Sequence, residues 1–126
     1  MTGADFVLLS LLLAAHYLGD FTPLATPGMR AAKDGQGSVG MMGVHAAVHA
    51  TLVLLALAAV RVPWPLVLGS AAFELGAHFG VDWGRMKLGL RVPILRDPGQ
   101  NPFWRLLGLD QLAHGVTLMA IAVWVR

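Results

Sequence analysis

Four long apolar runs, separated by short polar segments, dominate the pattern of hydrophobic and polar positions along the chain. Turn-forming sequences rich in proline, glycine and serine divide the runs: TPLATPGMRAAKDGQGS, PWP and RDPGQNP. A helix of about 20 apolar residues is long enough to cross a bilayer. The pattern therefore predicts four membrane-spanning helices, at residues 4–20, 39–62, 64–83 and 103–125.

The composition supports a membrane protein rather than a soluble one. Hydrophobic residues make up 56% of the 126 residues and charged residues 13%, whereas soluble domains carry about 25% charged residues. The length predicts a single integral-membrane domain over residues 1–126, folded as an all-α four-helix transmembrane bundle. The sequence contains no cysteine, which excludes disulfides and thiolate metal ligands. A net charge of +2 gives no reason to expect a nucleic-acid partner, and membrane lipid is the expected surrounding.

The basic residues are distributed unevenly between the two ends of the predicted bundle. One end holds Arg61 and Arg126, and the other end holds Arg30, Lys33, Arg85, Lys87, Arg91, Arg96 and Arg105. Cytoplasmic loops of membrane proteins are enriched in lysine and arginine, so both termini are expected outside the cytoplasm. The segment between the first two runs is interpreted as a linker rather than a lid.

Ionisable residues recur at four-residue spacing in every run, toward the cytoplasmic leaflet of the predicted topology. Four residues of helix correspond to about 6 Å of rise and about 40° of rotation, so residues at this spacing share one face. Ionisable side chains in a bilayer normally face the interior of a bundle and pair there. The polar sets are His16 with Asp20, His45 with His49, Ser70 with Glu74, His78 and Asp82, and Asp110 with His114. They are expected to converge.

Charge balance in this layer indicates a metal site. Four carboxylates would meet there, and the predicted topology places no lysine or arginine within the helices at that depth. Two divalent ions, such as Zn, Mn or Fe, would balance the four carboxylates, and neutral imidazoles would complete their coordination. The predicted metal ligands are His16, Asp20, His45, His49, His78, Asp82, Asp110 and His114. The alternatives are a metal-free network of protons and hydrogen bonds and, as a weaker option, haem ligation.

Three classes of function fit such a site. The first is a membrane metal-dependent hydrolase of a lipid-linked or phosphorylated substrate, with Glu74 as general base or orienting group and Lys87 or Arg85 holding the charged head. Ser70 is expected to support this site from the position one helical turn before Glu74 on the same helix face. The second class is transport or sensing of a divalent ion or a proton. The third is an accessory subunit of a larger membrane assembly, and a homo-oligomer also stays open.

Small residues also recur at helical spacing. They are Gly40, Gly43, Ala46, Ala47 and Ala50 in the second run and Ala72, Gly76 and Gly80 in the third. Such residues either let helix backbones approach closely in lipid or simply reflect a sequence rich in glycine and alanine.

Four motifs, HYLGDF, HAAVHA, AHFGVDWGRMKL and LDQLAHG in that order, resemble the small bacterial integral-membrane family known as domain of unknown function 3307. The resemblance covers all four apolar runs. It implies a multi-pass protein of the bacterial inner membrane and adds Gln111, as a residue that supports the ligands, to the site. It implies no particular activity. One departure is visible, since family members often carry a glutamine shortly after the first acidic and aromatic pair, where this chain reads FTPL at residues 21–24.

Overall fold

Residues 2–126, the part of the chain that the computed structural model describes, form five α-helices and one short 3₁₀ helix. The α-helices are α1 (Gly3–Phe21), α2 (Pro27–Lys33), α3 (Val39–Ala59), α4 (Trp64–Arg91) and α5 (Asn101–Trp124), and the 3₁₀ helix is Pro93–Arg96. The all-α fold class is confirmed. Helices α1, α3, α4 and α5 correspond to the four apolar runs.

The third predicted helix ends much later than the sequence indicated. The expected end was residue 83, but α4 continues to Arg91. The charged residues after Trp83 suggested a loop, yet Met86 and Gly89 keep the inner face of the helix buried over two further turns. Charged side chains on the exposed face are compatible with a helix that extends beyond an apolar span.

The first connecting segment is folded, so its interpretation as a linker was wrong. Thr26 caps α2 by accepting a hydrogen bond from the Met29 backbone N–H, and Pro27 occupies the start of the helix, as is typical of helix N-termini. Met29 and Ala32 are buried, and α2 packs against α3 and α4. It therefore covers one end of the bundle.

The four long helices form a closed ring. Helix α3 packs against α1 and α4, and α5 packs against α4 and α1. The two chain ends lie side by side, because Asp5 Oδ1 is 3.3 Å from Arg126 Nε. At this end the interior is an apolar core of Leu8, Leu12, Val53, Leu57, Val67, Leu118, Ile121, Ala122 and Val125. A second, smaller apolar cluster of Ala32, Met42 and Met86 lies under α2 at the opposite end.

The outer surface of the ring is apolar along its length. Large exposed hydrophobic residues occur on all four long helices, among them Phe6, Leu55, Phe73 and Val116. Three helices of residues 2–126 are long and apolar enough to cross a membrane: α1, α3 and α5. An apolar outer surface around buried ionisable residues is the reverse of the soluble pattern, and these helices suggest membrane association.

Most of the glycines noted in the sequence do not lie at close helix contacts. Gly76 and Gly80 are exposed, and a Cβ added at Gly43, Gly76 or Gly80 would meet no atom of residues 2–126 within 4 Å. Among the small residues, Ala46 is completely buried. The packing interpretation of Gly43, Gly76 and Gly80 was therefore wrong.

Candidate metal centre

All eight predicted metal ligands lie together in a single layer between the apolar core and α2. They come from every long helix: His16 and Asp20 from α1, His45 and His49 from α3, His78 and Asp82 from α4, and Asp110 and His114 from α5. Each of His45, His49, His78, Asp82 and His114 is at most 1% exposed. The four-residue spacing places two of these residues on one face of each helix.

Asp20 lies at the centre of one half of the layer. Its Oδ1 is 2.9 Å from His45 Nε2, 3.3 Å from His49 Nε2 and 4.0 Å from His78 Nε2. One candidate ligand atom from each of Asp20, His45, His49 and His78 lies within 4.8 Å of the other three. Three imidazoles and a carboxylate form a donor set that suits zinc and similar divalent ions.

Asp82 organises the other half of the layer. Its Oδ2 is 3.4 Å from His78 Nε2, and its Oδ1 is 3.5 Å from His114 Nε2. Asp82, Asp110 and His114 form a second group of potential ligands within 4.8 Å of one another, and His16, His78 and His114 form a third. His78 and His114 each belong to two groups, so the groups are parts of one connected site.

Several buried polar atoms in this layer have no hydrogen-bond partner among residues 2–126. They are Nδ1 of His16 and His45, Nε2 of His49, His78 and His114, both carboxylate oxygens of Asp82 and Oδ1 of Asp110. Burying a polar atom without a partner costs about 1–3 kcal/mol. Asp82 Oδ1 lies 3.1 Å from Lys33 Nζ, but none of these atoms makes a hydrogen bond of good geometry. Imidazole nitrogens and carboxylate oxygens gathered in this way are the donor atoms that a divalent cation requires.

Glu74 lies one helical turn from His78, beyond the ligand layer. Its Oε1 is 3.2 Å from His78 Nδ1. With Glu74 ionised, Nδ1 of His78 donates the hydrogen bond, which leaves Nε2 as the free lone pair that faces the ligands. This is the usual way in which a carboxylate orients a metal-binding histidine. Ser70 follows on the same stripe, and its Oγ is buried without a hydrogen bond to any of residues 2–126.

Gln111 contacts polar residues of two helices, His16 and Asp20 of α1 and Asp110 of α5. Its Nε2 donates to Asp20 Oδ2 at 3.2 Å and to Asp110 Oδ2 at 3.1 Å, and its Oε1 accepts from His16 Nε2 at 3.1 Å. The supporting role that the resemblance implied for Gln111 stays a prediction, and these hydrogen bonds are compatible with it. Because His16 Nε2 carries the donated proton, Nδ1, which is buried without a hydrogen bond among residues 2–126, is the lone pair that His16 offers to a metal ion.

Lys33 enters the site from α2, a helix that the sequence analysis did not predict. Its Nζ is 3.2 Å from Asp20 Oδ1 and 3.1 Å from Asp82 Oδ1. Burial alone would lower the pKa of Lys33, but the charges of Asp82, Asp20 and Asp110 outweigh burial and raise that pKa above its usual range. The expectation that no protein cation reaches the carboxylates was therefore wrong. The Thr26–Pro27 pair, a typical helix start, was the sequence signal for α2.

The two predicted substrate-binding residues are separated by the structure. Arg85 Nη1 is 3.5 Å from Asp110 Oδ2, at the edge of the ligand layer. Lys87 is exposed on another face of α4, where its Nζ lies 5.4 Å from the centre of the Trp83 ring. Lys87 therefore lies away from the cluster, and Arg85 is the basic residue of this pair that belongs to it.

Gly19 supports the site, and the sequence reasoning missed it. A Cβ at this buried position in α1 would lie 2.4 Å from atoms of the His49 ring. Only a glycine lets His49 approach α1 this closely. The signal lay within the HYLGDF motif, directly before Asp20.

Comparison with known proteins gives a family and no further relatives. Searches of curated proteins and of solved structures found no significant match. A family model described as protein of unknown function (DUF3307) matches residues 8–126, which include every ligand candidate. The chain belongs to this family.

Proposed function

We propose that this protein is a multi-pass membrane protein of the bacterial inner membrane that binds a divalent metal ion in the His/Asp layer and uses it to hydrolyse a lipid-linked or phosphorylated substrate. The observation that carries the proposal is the set of buried atoms without a hydrogen bond among residues 2–126: Nε2 of His49, His78 and His114, both carboxylate oxygens of Asp82, and Oδ1 of Asp110. A protein rarely leaves so many buried polar atoms without partners unless a ligand supplies them.

Charge balance in this layer favours one divalent ion when Lys33 is in place. The carboxylates of Asp20, Glu74, Asp82 and Asp110 carry four negative charges, and Lys33 and Arg85 supply two positive charges. One divalent ion supplies the two positive charges that are still needed for balance. A second divalent ion would leave the layer with an excess of two positive charges. Zn, Mn and Fe all accept this mixture of nitrogen and oxygen donors.

The packing of the imidazoles counts against a metal-free proton network. The rings of His49 and His78 are stacked with centroids 3.7 Å apart, and those of His78 and His114 with centroids 4.1 Å apart. Protonating neighbouring rings would place like charges in contact inside the protein, which is costly. Neutral imidazoles are the form that binds metals.

The proposed topology has α4 as a fourth spanning helix and α2 on the cytoplasmic side. The exposed face of α4 is apolar at Leu68, Phe73 and Leu75, whereas its polar residues Glu74 and Asp82 face inward. Seven of the nine basic residues lie at the α2 end of the bundle, and the positive-inside tendency assigns that end to the cytoplasm. The apolar core that fills the opposite end counts against a path for ions across the membrane.

A bound divalent ion would supply an activated water and stabilise negative charge on a phosphoryl group. The residues of the chain prepare the site for this chemistry. Glu74 holds His78 in the ligand orientation, and Gln111 fixes Asp20 and Asp110 relative to each other. The apolar core closes the layer from the other side and keeps bulk water away from the ligands.

Hydrolysis by purified full-length protein tests the proposal. We expect release of phosphate from a phosphate monoester lipid or a soluble monoester that depends on added Mn²⁺ or Zn²⁺ and is lost in His114→Ala. Asp97→Asn, at an exposed carboxylate outside the layer, serves as the matched control and retains activity. If the protein binds metal but hydrolyses neither these monoesters nor phosphate diesters tested in the same way, the hydrolase proposal is ruled out and metal sensing is left.

A further inference from the structure

A cavity of about 170 Å³ lies beside α2 and reaches the ligand layer. Its lining includes Asp20 and His45, which belong to the layer, and the apolar side chains of Phe21 and Ala25. The remaining lining residues are charged: Arg30, Lys33, Asp34 and Arg85. At about 30 Å³ per water molecule, this volume accommodates a phosphate group and the first atoms of its substituent.

Three cations from two helices meet in this cavity. Arg30 donates from Nη1 to the Ala25 carbonyl, and Arg85 makes one long contact to Asp110 at 3.5 Å. Each guanidinium has five N–H donors, so both retain donors for a ligand. Planar guanidinium groups bind phosphate oxygens in pairs of hydrogen bonds. Two carboxylates also line the cavity, those of Asp20 and Asp34, and Lys33 compensates the charge of Asp20.

Lys33 links the cavity to the metal ligands. Its Nζ contacts Asp20 Oδ1 and Asp82 Oδ1, which are also candidate metal ligands. A divalent ion bound to these oxygens would balance their negative charge in place of Lys33 and would repel its ammonium group. Lys33 already lines the cavity, so the released ammonium can turn to an anion there without leaving α2.

We propose that the cavity beside α2 binds a phosphate monoester dianion next to the metal ion, with Arg30, Arg85 and Lys33 as its ligands. In the absence of metal, Lys33 binds the carboxylates of Asp20 and Asp82. When metal is bound, Lys33 binds the anion. This inference rests on the proposed function, and it names the substrate class of that site. Because the two ligands share Lys33, metal and anion strengthen the binding of each other, and thermodynamic linkage makes the effect equal in both directions.

Binding of radiolabelled inorganic phosphate to full-length protein in detergent tests this proposal, with and without Mn²⁺. We expect Mn²⁺ to strengthen phosphate binding by at least about tenfold, within the usual range of coupling. Lys33→Met removes this gain while Mn²⁺ still binds. Arg30→Gln weakens phosphate binding by about tenfold, as expected for one charged hydrogen-bond donor. Lys87→Gln is the matched control, because it removes an exposed basic residue outside the cavity, and it leaves phosphate binding unchanged.

The outcomes separate the inference from the proposed function. If Mn²⁺ binds but phosphate does not, or if Arg30→Gln and Lys87→Gln behave alike, the anion site is wrong and the metal site stands. If Mn²⁺ does not bind, the proposed function fails and this inference fails with it. Competition identifies the source of the phosphate: phosphatidic acid in nanodiscs against phosphatidylcholine nanodiscs tests a lipid headgroup, and glycerol phosphate tests a soluble monoester. Competition by neither would overturn the monoester assignment.

Discussion

The two ends of the bundle use the same four helices in opposite ways. Near the chain termini, Leu12, Leu57 and Ile121 are completely buried in a core of apolar side chains. One or two turns further along, the interior changes to histidines and carboxylates, of which Asp82 and His114 are buried without complete hydrogen bonding among residues 2–126. The buried side chains at the apolar end pack against one another, whereas several buried polar atoms at the polar end have no hydrogen-bond partner among residues 2–126.

The difference teaches which end carries function. Dispersion contacts between close-packed side chains hold helices together without any ligand. A layer of ionisable groups does not add stability in the same way, because desolvation of buried charges offsets their attraction. Under the proposed function, a bound ion supplies the missing partners of the polar end, and the apolar end holds the four helices around it.

Asp20→Asn gives the largest expected effect on the polar end. It removes a charged ligand and one of the two carboxylates that hold Lys33, and loss of one partner from a buried ionic cluster costs about 3–5 kcal/mol. We expect metal affinity to fall by at least about 100-fold, measured by titration of Mn²⁺ or Zn²⁺. Asp97→Asn at an exposed position should leave affinity unchanged. Equal affinity in the two variants would contradict the assignment of Asp20 as a ligand.

Leu57→Ala tests the apolar end by itself. Leu57 is completely buried in the apolar core, and truncating such a leucine typically costs about 3 kcal/mol. We expect a lower free energy of unfolding in detergent, with metal affinity unchanged in the folded protein. Leu55→Ala, on the exposed face of the same helix, is the control and should change stability little. A loss of metal affinity in Leu57→Ala would show that the two ends are not independent.

Substitutions at Glu74 separate an orienting role from a general-base role. Glu74→Ala removes the acceptor for His78 Nδ1 and should lower metal affinity by about 10-fold to 100-fold. Glu74→Gln keeps an oxygen that accepts this hydrogen bond, so it should retain most of the affinity and most of the hydrolytic rate. If Glu74→Gln binds metal normally but has lost hydrolysis, Glu74 is the general base and the orienting assignment is wrong.

Gly19→Ala gives the smallest of the expected effects. Its Cβ would lie 2.4 Å from the His49 ring, so the ring must move, and overpacking of this kind costs about 1–3 kcal/mol. Thermal unfolding and metal titration should both show the change. Gly76→Ala is the matched control, because its Cβ would meet no atom of residues 2–126 within 4 Å and alanine favours a helix over glycine. Identical behaviour of the two variants would remove Gly19 from the site.

The sequence predicted the layer well because helix periodicity is local. The pairs His16 with Asp20 and Asp110 with His114 need only a regular helix to share a face, and the four apolar runs supplied the helices. The prediction for Lys33 failed because its place depends on how α2 packs against α3 and α4, which is a tertiary contact. Short helices leave only a weak pattern in a sequence.

The sequence left both Arg85 and Lys87 open as substrate-binding residues for a different reason. With the helix predicted to end at residue 83, both residues belonged to a flexible loop and either could turn toward the site. In the continuous α4, Lys87 is five residues beyond Asp82 and so points about 140° away from it, whereas Arg85 is about 60° away. Helix geometry alone excludes Lys87 once the true end of α4 is known.

The metal content of the purified full-length protein tests the central claim most directly. We expect about one divalent ion per chain after purification or after incubation with Zn²⁺, Mn²⁺ or Fe²⁺ and removal of the excess, as for a preformed site of protein ligands. His78→Phe, which replaces the imidazole shared by two ligand groups, should retain almost none while Asp97→Asn matches the wild type. A wild-type protein that is folded and holds no metal under any of these conditions would contradict the account.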